Sequence, residues 1–235
     1  GRTAYPWGYL TRRFRAFLNN LDLTKRQDAD GTAKHAGVRR VLNRHYWKID
    51  SETANSMLTG SWGKDLRVRP PRDVDILFSL PWSVYQRFEE RTGNRQSQLL
   101  QEVKGVLETV YPETDMGGEG QVVVVRFATM PVEVVPAFEF SDGQFWICDT
   151  WGGGSYRLTD PRAEKAALDL SDLVNLGATR HLIRMVKQWQ RQCNVPIKSF
   201  LLERLAIEFL ARWNHPRDLF WYDWMLRDFF DFMIS

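Results

Sequence analysis

Leu58-Thr59-Gly60-Ser61-Trp62-Gly63, a linker from Lys64 to Arg72, and then Asp73-Val74-Asp75-Ile76-Leu77-Phe78-Ser79-Leu80 form the stretch on which the fold turns. Its last part reads as a buried strand closed by Pro81. Residues i and i+2 of a strand project to one face, about 6–7 Å apart along it. Asp73 and Asp75 therefore place two carboxylates side by side at the head of an apolar strand. Desolvating such a pair is costly without a cation. Magnesium suits it, because it takes hard oxygen ligands and keeps water for substrate phosphates; manganese is the alternative. Upstream, Gly60 lets a backbone approach a phosphate closely, and the Ser61 hydroxyl and amides can donate to it. The competing structural reading makes Asp73 a turn residue after Pro70-Pro71 and gives Asp75 an arginine partner.

Working outward, Val122 to Phe127 and Val132 to Phe138 are β-branched runs, with Ala128-Thr129-Met130-Pro131 as the turn between them. Glu133 is the one charge between Met130 and Phe138. An ionised Glu among valines needs a metal or an arginine, or it protonates. It is the candidate third acid, unless its strand lies at an edge and the side chain faces water. Leu99, Leu100, Val103, Val106, Leu107 and Val110 have helical spacing, so strand, helix, strand, strand predicts a mixed sheet backed by helices.

The flanks read as helix. Leu10, Phe14, Phe17, Leu18 and Leu21 share one helical face. Thr24-x-x-Gln27 is a capping-box signature for a second helix towards Val38, Val41, Leu42 and Tyr46, although Gly31 and Gly37 weaken it. After Gly152-Gly153-Gly154-Ser155, the segment Leu158-Thr159-Asp160-Pro161 is expected to continue as loop. Leu182, Met185, Val186 and Trp189 form one stripe, and Leu201, Leu202, Leu205, Phe209 and Trp213 another. Opposite the first stripe, Arg180, Arg184, Lys187 and Arg191 make a basic face, ordinarily a solvated one. Ser199 and Phe200 begin the next helix, where amides and dipole favour an anion. Lys187 and Ser199 could there clamp a triphosphate, with Phe200 offering its ring to a base.

The 235 residues are 43% hydrophobic and 26% charged, which excludes a disordered or low-complexity chain and allows one large domain or two interlocked ones. A net charge of +3 is too small to mark a nucleic-acid binder. Arg12, Arg13, Arg15, Lys25 and Arg26 are read as a solvated face rather than an activator site, and Arg67, Arg69 and Arg72 as an exposed loop. Cys148 and Cys193 are expected to be small buried apolar residues, and His35, His45, His181 and His215 to be structural. With neither a secretion signal nor an apolar run long enough for a membrane, the expectation is a soluble cytoplasmic protein without a membrane partner.

Gly60-Ser61 with Asp73-x-Asp75, the later acid in Val132-Glu133-Val134-Val135-Pro136-Ala137-Phe138, and Lys187-x-Trp189 followed by Pro196-Ile-Lys-Ser199-Phe200-Leu-Leu-Glu203 resemble the bacterial CD-NTases. These are relatives of cyclic GMP-AMP synthase and oligoadenylate synthase among the polymerase-β-like nucleotidyltransferases. The resemblance implies an α+β fold, bilobal with a central cleft: a nucleotidyltransferase core with N-terminal helices over residues 1–157 and a C-terminal helical lobe over 158–235. It implies that Asp73, Asp75 and Glu133 hold two magnesium ions and are catalytic. Gly60 and Ser61 would hold donor phosphates, Lys187 and Ser199 would clamp them, and Phe200 would stack on the base. The family's third acid is commonly Asp, so Glu133 departs from it by one methylene. The family also usually has a further C-terminal part beyond the equivalent of residue 235. The implied reaction joins nucleoside triphosphates into a cyclic di- or oligonucleotide with pyrophosphate release, as an antiphage second messenger acting on a separate effector. Three other readings remain: a linear oligonucleotide synthase or another superfamily nucleotidyltransferase, a catalytically silent nucleotide-binding module, and a nucleic-acid-activated sensor.

Overall fold

The computed structural model describes residues 7–234, which divide into two compact units. One comprises residues 25–64 and 71–163; the other gathers residues 7–24, 65–70 and 164–234. Elements are numbered in chain order: α1 (Trp7–Leu21), α2 (Lys25–Leu42, running into a wider turn at Asn43–Trp47), β1 (Ser56–Thr59), α3 (Gly60–Gly63), β2 (Val74–Ser79), α4 (Trp82–Glu89) and α5 (Arg95–Glu108). Then come β3 (Met116–Glu119), β4 (Val122–Val125), β5 (Val132–Glu139), β6 (Phe145–Asp149), β7 (Ser155–Thr159), α6 (Pro161–Val174), α7 (Ala178–Gln192), α8 (Ser199–Arg212) and α9 (Tyr222–Ile234).

The first unit is built on a mixed sheet in the order β1-β2-β5-β4-β3, with β6 and β7 extending from the far half of β5. β2 and β5 run parallel, and every other pairing is antiparallel. Strand β5 is central, so Glu133 does not sit on an edge. A proline inside a central strand normally costs a ladder bond. Pro136 escapes this by position. The carbonyls of Pro131 and Ala137 bond to β2-side amides, so Pro136, one residue before Ala137, turns its nitrogen the other way. On that side β4 pairing ends at Val134 and β6 pairing begins at Ala137, and no donor is needed between them.

Period-2 alternation gives the sheet two chemically different faces. Val74, Ile76, Phe78, Val132, Val134 and Phe138 project to one face and are fully buried. Helices α2 and α5 pack against the sheet, and Phe78 meets the ring of Tyr46 just after α2. The opposite face begins with Asp75 and Glu133 and continues into an apolar cluster of Leu77, Ala137 and Phe145. Gly31 and Gly37 lie within α2 without breaking it, because each admits an aromatic side chain, Trp62 and Tyr111 respectively.

In the second unit α1 packs on α7, and α7 on α8. Leu18, Leu21, Leu182, Met185, Val186, Phe209 and Phe229 fill the interior. Phe17 stays partly exposed on the rim of α1, and Val110 lies beyond the end of α5, exposed. The segment expected to be loop is not one. Ser155–Thr159 is strand β7, Asp160 accepts a hydrogen bond from the Ala163 amide at 2.9 Å, and Pro161 opens α6. Asp followed by Pro at the first helical position is a helix start. Cys193 is exposed, against expectation, whereas Cys148 is buried. Among the described residues no helix is long and apolar enough to cross a membrane.

His35 is buried on α2 with its ring edge-on to Trp62, centroids 5.9 Å apart. Burial, reinforced by Arg39 and opposed by Asp28 and Glu52, lowers its pKa from 6.5 to about 4. Above the unfolded value the imidazole is neutral in both states. As pH falls towards the folded value, the unfolded chain takes up a proton that the folded chain refuses. Stability should therefore fall on acidification through this window, by up to about 1.4 kcal/mol per pH unit from this group. Urea melts of wild type and His35→Gln across that range test it: the variant should show the shallower slope.

Candidate metal and nucleotide site

Asp75 and Glu133 are in-register neighbours on the parallel strands β2 and β5. Parallel pairing places such residues side by side, about 4.8 Å apart across the ladder and on the same face. Asp73 sits at the mouth of β2, two residues ahead, where the Val74 amide already bonds the Pro131 carbonyl at 3.0 Å. One carboxylate oxygen from each of Asp73, Asp75 and Glu133 falls within a 4.8 Å envelope, and all three side chains are half-buried. Three acids from two strands thus converge as the sequence predicts.

Like charges this close repel by about 3 kcal/mol per pair at an effective dielectric of about 20. Glu133 registers the strain. Burial and then the Asp73 charge push its carboxyl above the usual range, while a hydrogen-bonding contact with Asp75 opposes them. Charged oxygen donors with no nitrogen or sulfur among them suit a hard divalent cation such as magnesium. The extra methylene of Glu133 does not carry it out of reach of the aspartates.

The Gly60-Ser61 turn lies against the same acids. Thr59, the last residue of β1, pairs with Asp75. The chain then turns sharply: Gly60 has φ +56°, and a Cβ there would collide with the Asp75 carboxylate, its Cγ only 2.8 Å away. Glycine is therefore required both by the dihedral and by the close approach. Ser61 follows as the second residue of α3, half-buried.

Lys187, Ser199 and Phe200 belong to the other unit. Lys187 lies on the inner part of α7, nearly buried, with its ammonium 3.6 Å from the carboxylate of Glu203 on α8. Glu203 was not singled out for any role from the sequence, since its pairing crosses two helices and has no local signature. Ser199 is the first residue of α8, and Phe200, beside it, is about half exposed with Arg204 over its ring at 5.9 Å. The remaining basic face is not solvated. Arg180 pairs with Asp169 and Asp172, Arg184 with Asp22 at 2.6 Å, and Arg191 donates to the Pro70 carbonyl at 2.6 Å.

A mixed sheet thus brings three carboxylates together at one end of its parallel strand pair, beside a Gly-Ser turn. Residues 9–171 match the model of the Second Messenger Oligonucleotide or Dinucleotide Synthetase domain, and the chain belongs to that family. A probable cyclic nucleotide synthase of Bacillus cereus (strain VD146) is 20% identical over 205 residues, covering 74% of this chain and 60% of the relative. The chain therefore matches less than two thirds of that protein's length. Among solved structures, CdnC of E. coli MS115-1 with ATP superposes with a TM-score of 0.70 at 17% identity, over 97% of this chain and 71% of that one. The CD-NTase CdnG of Bradyrhizobium diazoefficiens, in complex with GTP, gives 0.68 at 14% identity, over 97% and 76%. The fold is that of the CD-NTases.

If the three acids form a cation site, magnesium should raise the thermal midpoint of the protein, because a ligand that binds only the folded state stabilises it. Asp73→Asn with Asp75→Asn should erase that response. Without magnesium the same double variant should melt no lower than wild type, since it removes repulsion rather than packing. A melting series with and without magnesium reads both outcomes.

Proposed function

We propose that this protein is a magnesium-dependent nucleotidyltransferase that joins nucleoside triphosphates into a cyclic di- or oligonucleotide and releases pyrophosphate. The observation that carries the reading is the convergence of Asp73, Asp75 and Glu133 within 4.8 Å beside a glycine turn that closes on Asp75. Membership of a family described as second messenger oligonucleotide or dinucleotide synthetases supports it. So does the likeness to proteins solved with ATP and with GTP.

In this reading the three carboxylates hold two magnesium ions, manganese being able to substitute. When bound, such ions lower the pKa of an acceptor hydroxyl and offset charge at the transferred phosphorus. Asp75 and Glu133, fixed by strand register, present oxygens whose separation does not depend on a loop. Gly60 gives the donor's phosphates room at the backbone, and Ser61 donates to them. Lys187, kept in orientation by Glu203, offsets charge on the leaving pyrophosphate, with Ser199 as a further donor and Phe200 as a stacking surface for the base. The product would act as a second messenger in antiphage defence through a separate effector protein.

Incubation with all four labelled triphosphates and magnesium, followed by mass analysis of phosphatase-resistant products, tests the reaction. A cyclic product is expected from wild type. Asp73→Asn with Asp75→Asn should remove it while leaving the circular dichroism spectrum unchanged; product from that variant would overturn the site. Glu133→Asp isolates the third acid. Retained or raised turnover with unchanged magnesium dependence is expected if Glu133 is a ligand, whereas a loss as deep as that of the double aspartate variant would show that the site is built around the longer side chain.

A further inference from the structure

Helix α3 is a single turn, too short to hold its own position by helical hydrogen bonding. Its closing bond is the Lys64 amide to the Gly60 carbonyl at 3.2 Å. What fixes it lies elsewhere. Trp62 is buried, and its indole enters a notch on α2 created by the absence of a side chain at Gly31. A Cβ at Gly31 would strike the indole, lying 2.5 Å from Cζ2 and 2.9 Å from Met130 Sδ. His35, one turn along α2, closes the notch edge-on to the same ring. On the other side of the turn, Gly63 rests against the Leu58 carbonyl so closely that a Cβ there would overlap it.

Gly60 and Gly63 thus set the turn against β1 and Asp75, while Trp62 ties it to α2. Glycine inside a helix is disfavoured relative to alanine, so its presence at position 31 calls for a packing reason, and Trp62 supplies one. We propose that Gly31 and Trp62 are a positioning pair: Trp62, keyed into the α2 notch, holds the Gly60-Ser61 turn at the height from which it meets the donor triphosphate. The proposal rests on the nucleotidyl-transfer reading for what the turn binds, and on the contacts above for how the turn is held. Displacement of a positioning group by about 1 Å can cost a large factor in turnover, so the pair governs the site without touching substrate.

The test uses the full chain, with two single variants and their combination. Gly31→Ala fills the notch, Trp62→Phe withdraws the part of the ring that occupies it, and the double variant does both. Each single variant should raise the KM for the triphosphate by about tenfold, with a smaller change in kcat, and should speed amide exchange at residues 60–64 in the nucleotide-free protein. The double variant should recover towards wild type in both measurements, because the alanine methyl occupies space the smaller ring leaves. A merely structural role would lower the melting point without splitting KM from kcat. If Gly31→Ala does not fold, Trp62→Phe and the double variant decide the matter by the same two readouts. Unchanged exchange at residues 60–64 in Trp62→Phe, or a double variant as impaired as the worse single one, overturns the pair. If wild type releases no pyrophosphate with any of the four triphosphates and magnesium, the functional reading fails, and the exchange pattern still decides whether the turn is held this way.

Discussion

Mutual repulsion among three carboxylates is the constraint around which this structure is arranged. Asp75 and Glu133 cannot relax apart, because the parallel ladder from Val74↔Val132 to Ser79↔Ala137 fixes their register. Asp73 is tethered at the mouth of β2 by the bond between Val74 and Pro131. A sheet that holds three acids together loses electrostatic energy in the absence of a cation and regains it in its presence. The opposite face supplies the support: Val74, Ile76, Val132 and Val134 are wholly buried, so the strands are anchored by apolar packing that does not involve the acids. Packing and chemistry are divided between alternate residues of the same two strands.

Close backbone approach is the second device. Gly60, Gly31 and Gly63 each leave a gap that a specific neighbour fills: the Asp75 carboxylate, the Trp62 indole and the Leu58 carbonyl. The three contacts bound a turn of four residues whose own hydrogen bonding is slight. Preorganisation of this kind places donors before a ligand arrives, so that binding does not have to order them.

Much of this was legible in the sequence. Strands β2 and β5 are apolar runs interrupted by acids, and those acids are the ones that cluster in the folded chain. The sheet's outer members did not. β1 has four residues, β3 contains two adjacent glycines, and β7 follows a run of three glycines and exposes Arg157 and Leu158 as an edge strand. Their pairing comes from neighbours distant in sequence, which no local period records. The start of α6 was readable from Asp160-Pro161 but was lost to the expectation that glycine-rich sequence continues as loop. Read locally, Gly31 is a residue that weakens a helix, yet α2 runs through it. Its meaning lies 31 residues further on, at Trp62, and only the folded chain brings the two together.

The basic face of α7 shows why charge patterns on helices resist a purely local reading. Four cations at helical spacing suggested either a solvated surface or an anion clamp, yet their environments differ. Arg180, Arg184 and Arg191 use the fixed fork of the guanidinium to bind carboxylates and backbone carbonyls, which ties α7 to α6, to the residue after α1 and to the segment near Pro70. Lys187 is different in kind. Its ammonium is a compact charge on a flexible stem, nearly buried, facing Glu203 at 3.6 Å rather than in a tight bidentate pair. A carboxylate at that distance offsets the desolvation of the ammonium. The arginines thus serve the architecture of the helical unit. The lysine's pairing joins α7 to α8 instead.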